Sequence, residues 1–222
     1  MADSNLTSHP VMQRVRRALG RTAPMPTAPT PPSLVEPIIR LVHSDIGLPE
    51  LFQKQATDMK MLVEMARVDE VIERVAHFLI SQKCKSAMLS DTSLLRSLGA
   101  LESFRNAGID ARSWSQMTAD EAYDIDAGVT EADYAVAETG TLVIRHRPEH
   151  GRLLSLVPFV HVAIIEPKII LPDLLDLFER LARDGTGSGV TLISGPSKTA
   201  DIEMNTVTGV HGPNIVKAFV LS

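Results

Sequence analysis

Short apolar runs alternate along this chain with amphipathic stretches of helical period, and that alternation constrains the fold more than any other feature. Leu48-Pro49-Glu50 suits a helix start, with proline near the first helical position and an acid in the first turn. Met61 to Met65 reads as a strand, and Asp69 to Gln82 as a helix carrying Val71, Ile72, Val75, Phe78 and Leu79 on one stripe. Ala87-Met88-Leu89 is a second strand. Asp91 or Thr92 suits the N-cap of a helix that runs to Asn106 and stops at Gly108. Strands joined by amphipathic helices predict parallel βαβ units, because parallel neighbours need a crossover.

The second half continues the pattern with more turns. Tyr134–Ala137 and Leu142–Ile144 read as strands separated by Glu138-Thr139-Gly140-Thr141, and Val160–Ile165 as another. Pro172 to Arg183 reads as a helix turning Leu174, Leu175, Leu177, Phe178 and Leu181 inward. Val190–Ile193 reads as a buried strand after a glycine-rich loop, and Ile215–Leu221 as the last strand. These elements predict an α/β sheet covered on both faces.

The start of the chain differs. Val11 to Leu19 is compatible with a short helix bearing Arg14, Arg16 and Arg17 and ending at Gly20. Six prolines then fall between Pro24 and Pro37, a density that removes amide donors and favours extended backbone. Residues 1–44 are therefore expected to form a basic, proline-rich arm, either a loose tail or a strap on a partner subunit, and residues 45–222 a single domain.

Composition narrows the function classes. The 222 residues carry a formal net charge of −5, which argues against a general nucleic-acid binder. The one cysteine, Cys84, excludes a disulfide framework, a cysteine-based zinc finger or an iron–sulfur cluster held by this chain alone. No transmembrane run or apolar leader segment is present, and the chain is expected to be cytoplasmic.

Three polar segments sit beside apolar runs, and the expectation is that they lie beyond the carboxyl ends of strands. In the first, Glu138 beside Thr139 and Gly140 suits a nucleophile, a base or a hydrogen-bond acceptor, or equally a solvated hairpin turn. The second is Ser194-Gly195-Pro196-Ser197-Lys198-Thr199 followed by Asp201 and Glu203, and it presents hydroxyls, amides and one cation. It lacks the Walker A spacing. The third sets His211 between Gly209 and Gly212, as a general acid–base group or a backbone hydrogen-bonder. His161 is expected to be a core or capping histidine, Arg145-His146-Arg147 with Arg152 a solvated basic loop, and Cys84 an inert thiol.

Taken together, Ala137–Leu142, Leu156–His161, Ser194–Glu203 and Gly209–Pro213 closely resemble the LUD-domain family, in the family's order, over roughly Val68 to the C-terminus. The resemblance implies a three-layer α/β/α fold with a mostly parallel sheet, like the glucosamine-6-phosphate isomerase, ribose-5-phosphate isomerase and CoA-transferase superfamily. It implies a role in oxidising L-lactate to pyruvate with partner proteins that carry the iron–sulfur clusters, and no cofactor in this chain. Glu138, Thr139, Gly140, Ser194, Gly195, Ser197, Lys198, Thr199, Asp201, Glu203 and His211 would then line one pocket for a small anionic ligand, with Glu138 or His211 handling protons. Two other readings stay open. One is a stand-alone CoA-transferase or isomerase-like enzyme, because Glu138-Thr139-Gly140 resembles the Glu-x-Gly turn of some CoA-transferases. The other is a non-catalytic ligand-sensing or scaffold subunit.

Overall fold

The computed structural model describes residues 10–21, 47–200, 206–208 and 212–222, with the side chains of 199–200 and 206–208 left aside. The chain divides into two compact units, Met1–Ile39 and Arg40–Ser222. In the first, helix α1 (Pro10–Ala18) buries none of its residues and places Arg16 and Arg17 in its last turn. Gly20 follows at φ +66°, the left-handed geometry of a helix stop. The prolines from Pro24 to Pro37 lie outside the described residues.

The second unit begins with α2 (Leu48–Asp58), β1 (Leu62–Ala66), α3 (Val71–Ser81), β2 (Ser86–Leu89), α4 (Ser93–Ser97), α5 (Ala100–Asn106), β3 (Asp110–Ser113), α6 (Ala119–Ala122) and β4 (Ala127–Glu131). It continues with β5 (Tyr134–Val136), β6 (Thr141–Arg145), α7 (Leu153–Leu156), β7 (Val160–Ile165), β8 (Ile170–Leu171) and α8 (Leu174–Asp184). Strands β9 (Val190–Ile193), β10 (Lys198–Ala200), β11 (Thr206–Thr208) and β12 (Ile215–Leu221) complete it.

Six strands form one sheet in the order β1-β12-β7-β4-β2-β3, and every pairing in it is parallel. One face packs Leu89, Val129, Val162 and Phe219 against Val75 and Leu79 of α3, Leu95 of α4 and Phe104 of α5. The other face turns Ala163, Ile165, Val216 and Val220 toward Phe52 and Ala56 of α2 and Leu142 of β6. This is the expected α/β arrangement, a mostly parallel sheet flanked by helices. Burial on both faces explains why its strands read as apolar runs rather than as alternating patterns.

The remaining strands form a four-stranded sheet, β8-β5-β6-β9, and the separate hairpin β10-β11. In the smaller sheet β6 is antiparallel to both β5 and β9. Helix α8 closes its outer side through Leu177 and Leu181, which pack with Val136 and Val143.

Three sequence expectations need correction. The helix expected to run to Asn106 is two helices, because Gly99 takes φ +64° between them. Phe178 is 57% exposed instead of inward, since Leu177 and Leu181, with Leu174 partly buried beside them, make the contact under α8. Strand β9 is an edge strand rather than a buried one, and Leu192 is 47% exposed there.

Candidate functional site

The turn after β5 is held by main-chain bonds from Ala137 N to Leu171 O at 2.8 Å and from Glu138 N to Pro172 O at 3.0 Å. Gly140 closes it at φ +60° and lies flat against α2, where an added Cβ would fall 2.2 Å from Ala56 N. From this turn a chain of hydroxyls leads away: Thr139 Oγ1 to Thr141 Oγ1 at 2.7 Å, then Thr141 Oγ1 to Ser194 Oγ at 2.7 Å. The first and second polar segments thus meet side chain to side chain.

The second segment also rests on α2. Gly195 has φ +106°, and a Cβ there would come 2.3 Å from Met59 O. The Lys198 ammonium donates to the same carbonyl at 3.5 Å, so a cation stands at the negative end of the helix. The third segment joins through the main chain, with Ser197 N donating to Pro213 O at 2.9 Å. A Cβ on Gly212 would lie 3.2 Å from Ser197 Cβ. Glu138 is half-buried, and its carboxylate has no hydrogen-bond partner among the described residues.

The first two segments follow strand carboxyl ends as expected, those of β5 and β9, but the place where they gather is not the carboxyl edge of the parallel sheet. Met59 precedes β1, Pro213 precedes β12, and Phe159, whose carbonyl accepts from Asn214 N at 2.9 Å, precedes β7. The loops therefore gather at the amino-terminal edge of the parallel sheet. The reason is that β5 and β9 belong to the smaller sheet. Both run opposite to β6, so their carboxyl ends point the same way and deliver Glu138 and Ser194 to that edge.

Asp201, Glu203 and His211 lie outside the described residues, and Thr199 is placed only by its backbone pairing with Val207. Helix α2 contributes a wall that sequence reasoning missed, and Thr141 is the link between the two hydroxyl-bearing segments. The clue for both was local: glycines beside polar turns mark close backbone approach without saying what approaches.

The basic segment is not a solvated loop. Asp133, with a side chain 4% exposed, takes Arg145 Nε at 3.1 Å and also pairs with Arg147. His146 is buried and its Nε2 lies 2.6 Å from Thr191 Oγ1, tying β6 to β9. These side chains turn inward because Asp133, placed between β4 and β5, supplies a buried charge that needs partners. His161 is fully buried, with Nε2 2.9 Å from Thr130 Oγ1, and burial pushes its pKa down to about 3. Cys84 is buried and its thiol is pushed up to about 11, an unreactive state.

The LUD domain sequence profile matches residues 50–221 of this chain. The chain belongs to the LUD-domain family. Its LUD domain starts earlier than the motifs alone indicated, at residue 50 rather than near Val68, so α2 with Ala56 and Met59 is part of the domain. The protein named lactate utilization protein C of Exiguobacterium sp. is 39% identical over 158 residues, spanning 59% of this chain and 66% of that one. The one of the same name from Halalkalibacterium halodurans is 27% identical over 211 residues, covering 91% of this chain and 92% of its own length. Among solved structures, a DUF162 family protein from Deinococcus radiodurans superposes with a TM-score of 0.60 at 21% identity, covering 79% of this chain and 96% of that one. That likeness shows the fold.

Proposed function

We propose that this LUD-domain protein serves lactate utilization as a component of a system that oxidises L-lactate to pyruvate. It acts in the cytoplasm beside partner proteins that carry iron–sulfur clusters. The observation that carries the reading is the convergence of Glu138, the Thr139–Thr141–Ser194 hydroxyl chain and Lys198 against the end of α2. An ammonium with three donors, spending one on a long 3.5 Å contact, keeps donors for a small anion, and the neighbouring hydroxyls orient that anion. Glu138 is the carboxylate available to move a proton. The names carried by the relatives support the pathway. With one cysteine in the chain, and that one buried and protonated, electron transfer through clusters falls to other chains.

Affinity purification of the full chain from lactate-grown cells tests the partnership. Recovery of iron–sulfur proteins at stoichiometric level is expected, and recovery of the chain alone under mild salt contradicts it. One observation favours a second reading: the Glu138 carboxylate, without a hydrogen-bond partner among the described residues and two positions before Gly140, suits a nucleophile. It attacks an acyl-CoA to give an acyl-glutamyl anhydride and CoA thiolate, which then forms the glutamyl-CoA thioester as the acyl group leaves as its carboxylate. Hydroxylamine trapping at Glu138 in the presence of acyl-CoA separates the two.

A further inference from the structure

The parallel sheet has a second place built for a ligand, at its opposite edge. Strands β2 and β4 are neighbours, yet the chain leaving β2 leads to β3 on one side and the chain leaving β4 leads to β7 on the other. Such a reversal opens a crevice beyond the carboxyl ends of the two strands. A cavity of about 330 Å³ lies against the end of β2, within the size range of small-molecule sites.

Leu89, Leu95 and Leu101 make its apolar wall, while Ser90, Arg96 and Glu102 supply polar groups. Ser90 is 3% exposed and its hydroxyl has no hydrogen-bond partner among the described residues. A buried hydroxyl left unpaired costs about 1–3 kcal/mol, so a partner inside the cavity accounts for it. Asp91 is already committed: its carboxylate accepts from Ser113 Oγ and, at 2.8 Å, from Ser115 N. The Asp91 carbonyl in turn accepts from Arg96 through Nε at 3.1 Å and through Nη2. Arg96 is thereby pinned at the cavity with Nη1 unengaged, and the Glu102 carboxylate has no partner among the described residues.

We propose that this crevice binds a small monocarboxylate bearing a hydrogen-bond donor on its α-carbon, an α-hydroxy or α-amino acid with a short aliphatic chain. The carboxylate meets the Arg96 guanidinium, the α-donor meets Glu102 and Ser90, and the aliphatic remainder lies on Leu95 and Leu101. Asp91 and Glu102 repel a dianion such as phosphate, which restricts the ligand to a single negative charge. This site is separate from the cluster around Glu138 and Lys198 and does not rest on the function proposed for that cluster.

Calorimetric titration of the full chain with L-lactate, L-alanine, propionate and inorganic phosphate tests it. Saturable binding of L-lactate or L-alanine is expected, with propionate weaker by about tenfold for want of the α-donor, and phosphate not bound. Arg96→Gln and Ser90→Ala weaken binding by about tenfold or more each, whereas Lys168→Gln, which removes an exposed cation that lines neither site, leaves it unchanged. Glu102→Gln separates the two ligand sources, costing an ammonium far more than a hydroxyl. Arg96 is exposed, so its variant is expected to keep the fold, and an unchanged circular dichroism spectrum checks this. The proposal is overturned by absence of saturable binding for both acids, by equal affinity for propionate, or by binding that follows Glu138 and Lys198 and ignores Arg96.

Discussion

The hydroxyl of Thr141 lies 2.7 Å from that of Ser194, so residues 53 positions apart share one hydrogen-bonded chain with Thr139. Thr141 is 3% exposed, and its replacement leaves two hydroxyls without their common partner. Thr141→Val is expected to lower unfolding free energy by about 1–2 kcal/mol, and Thr141→Ser to restore most of it, in urea titrations at constant m-value. Equal stability of the valine variant would remove the hydroxyl chain from the account of how the two segments are joined.

Gly140 offers a sharper test of the wall formed by α2. An added methyl meets the Ala56 backbone at 2.2 Å, in a turn at φ +60°, so both strain and clash oppose it. Gly140→Ala is expected to cost about 2–3 kcal/mol. Gly99→Ala, at φ +64° and ψ 27° with open space around it, carries left-handed backbone strain alone and is expected to cost about 1 kcal/mol. Comparable midpoint shifts for the two variants in guanidinium would contradict the close packing of α2 on the turn.

The Asp133 clamp predicts a large effect from a small change. Asp133→Asn leaves Arg145 and Arg147 facing a neutral amide. The two guanidinium groups are 24% and 29% exposed, so water relieves part of the loss and the expected cost is roughly 2–3 kcal/mol rather than the fully buried value. A loss under half a kilocalorie in chemical denaturation would mean that the pairs do not hold β6 in place.

Acid should weaken the fold through its buried histidines. Burial pushes His150 down to about 4 and His161 to about 3, and His146 in the same direction. Each folded-state pKa lies below the unfolded one. The unfolded chain therefore takes up protons first, and stability present above about pH 6.5 is lost as pH falls toward the folded values. The slope between pH 6 and 5 is expected to approach about 1.4 kcal/mol per pH unit for each of His150 and His161, with His146 adding in the same direction. His150→Gln should flatten it by one such share, and a slope indifferent to His150 would contradict the assignment.

The parallel core was legible because buried strands carry continuous apolar runs. β2, β7 and β12 follow Ala87–Leu89, Val160–Ile165 and Ile215–Leu221 closely. The smaller sheet was not legible as a separate layer, since Tyr134–Val136 and Thr141–Arg145 are as apolar as core strands. That ambiguity hid that the strands delivering Glu138 and Ser194 belong to the smaller sheet. It also hid Asp133, whose burial gives Arg145 and Arg147 inward partners. Periodicity finds faces, but it does not say which strand neighbours which. The grouping of Glu138, Thr139, Ser194 and Lys198 came from motif order; the structure links Thr139 to Ser194 through Thr141 and sets Gly140, Gly195 and Lys198 against the end of α2.

Lactate-dependent growth tests the central claim most directly. In a host lacking its own counterpart, the wild-type chain is expected to support growth on L-lactate, while Glu138→Ala/Lys198→Ala, expressed at the same level, is expected to support none. Wild-type growth with that double variant would contradict the claim that the cluster beside α2 is where this protein serves lactate oxidation.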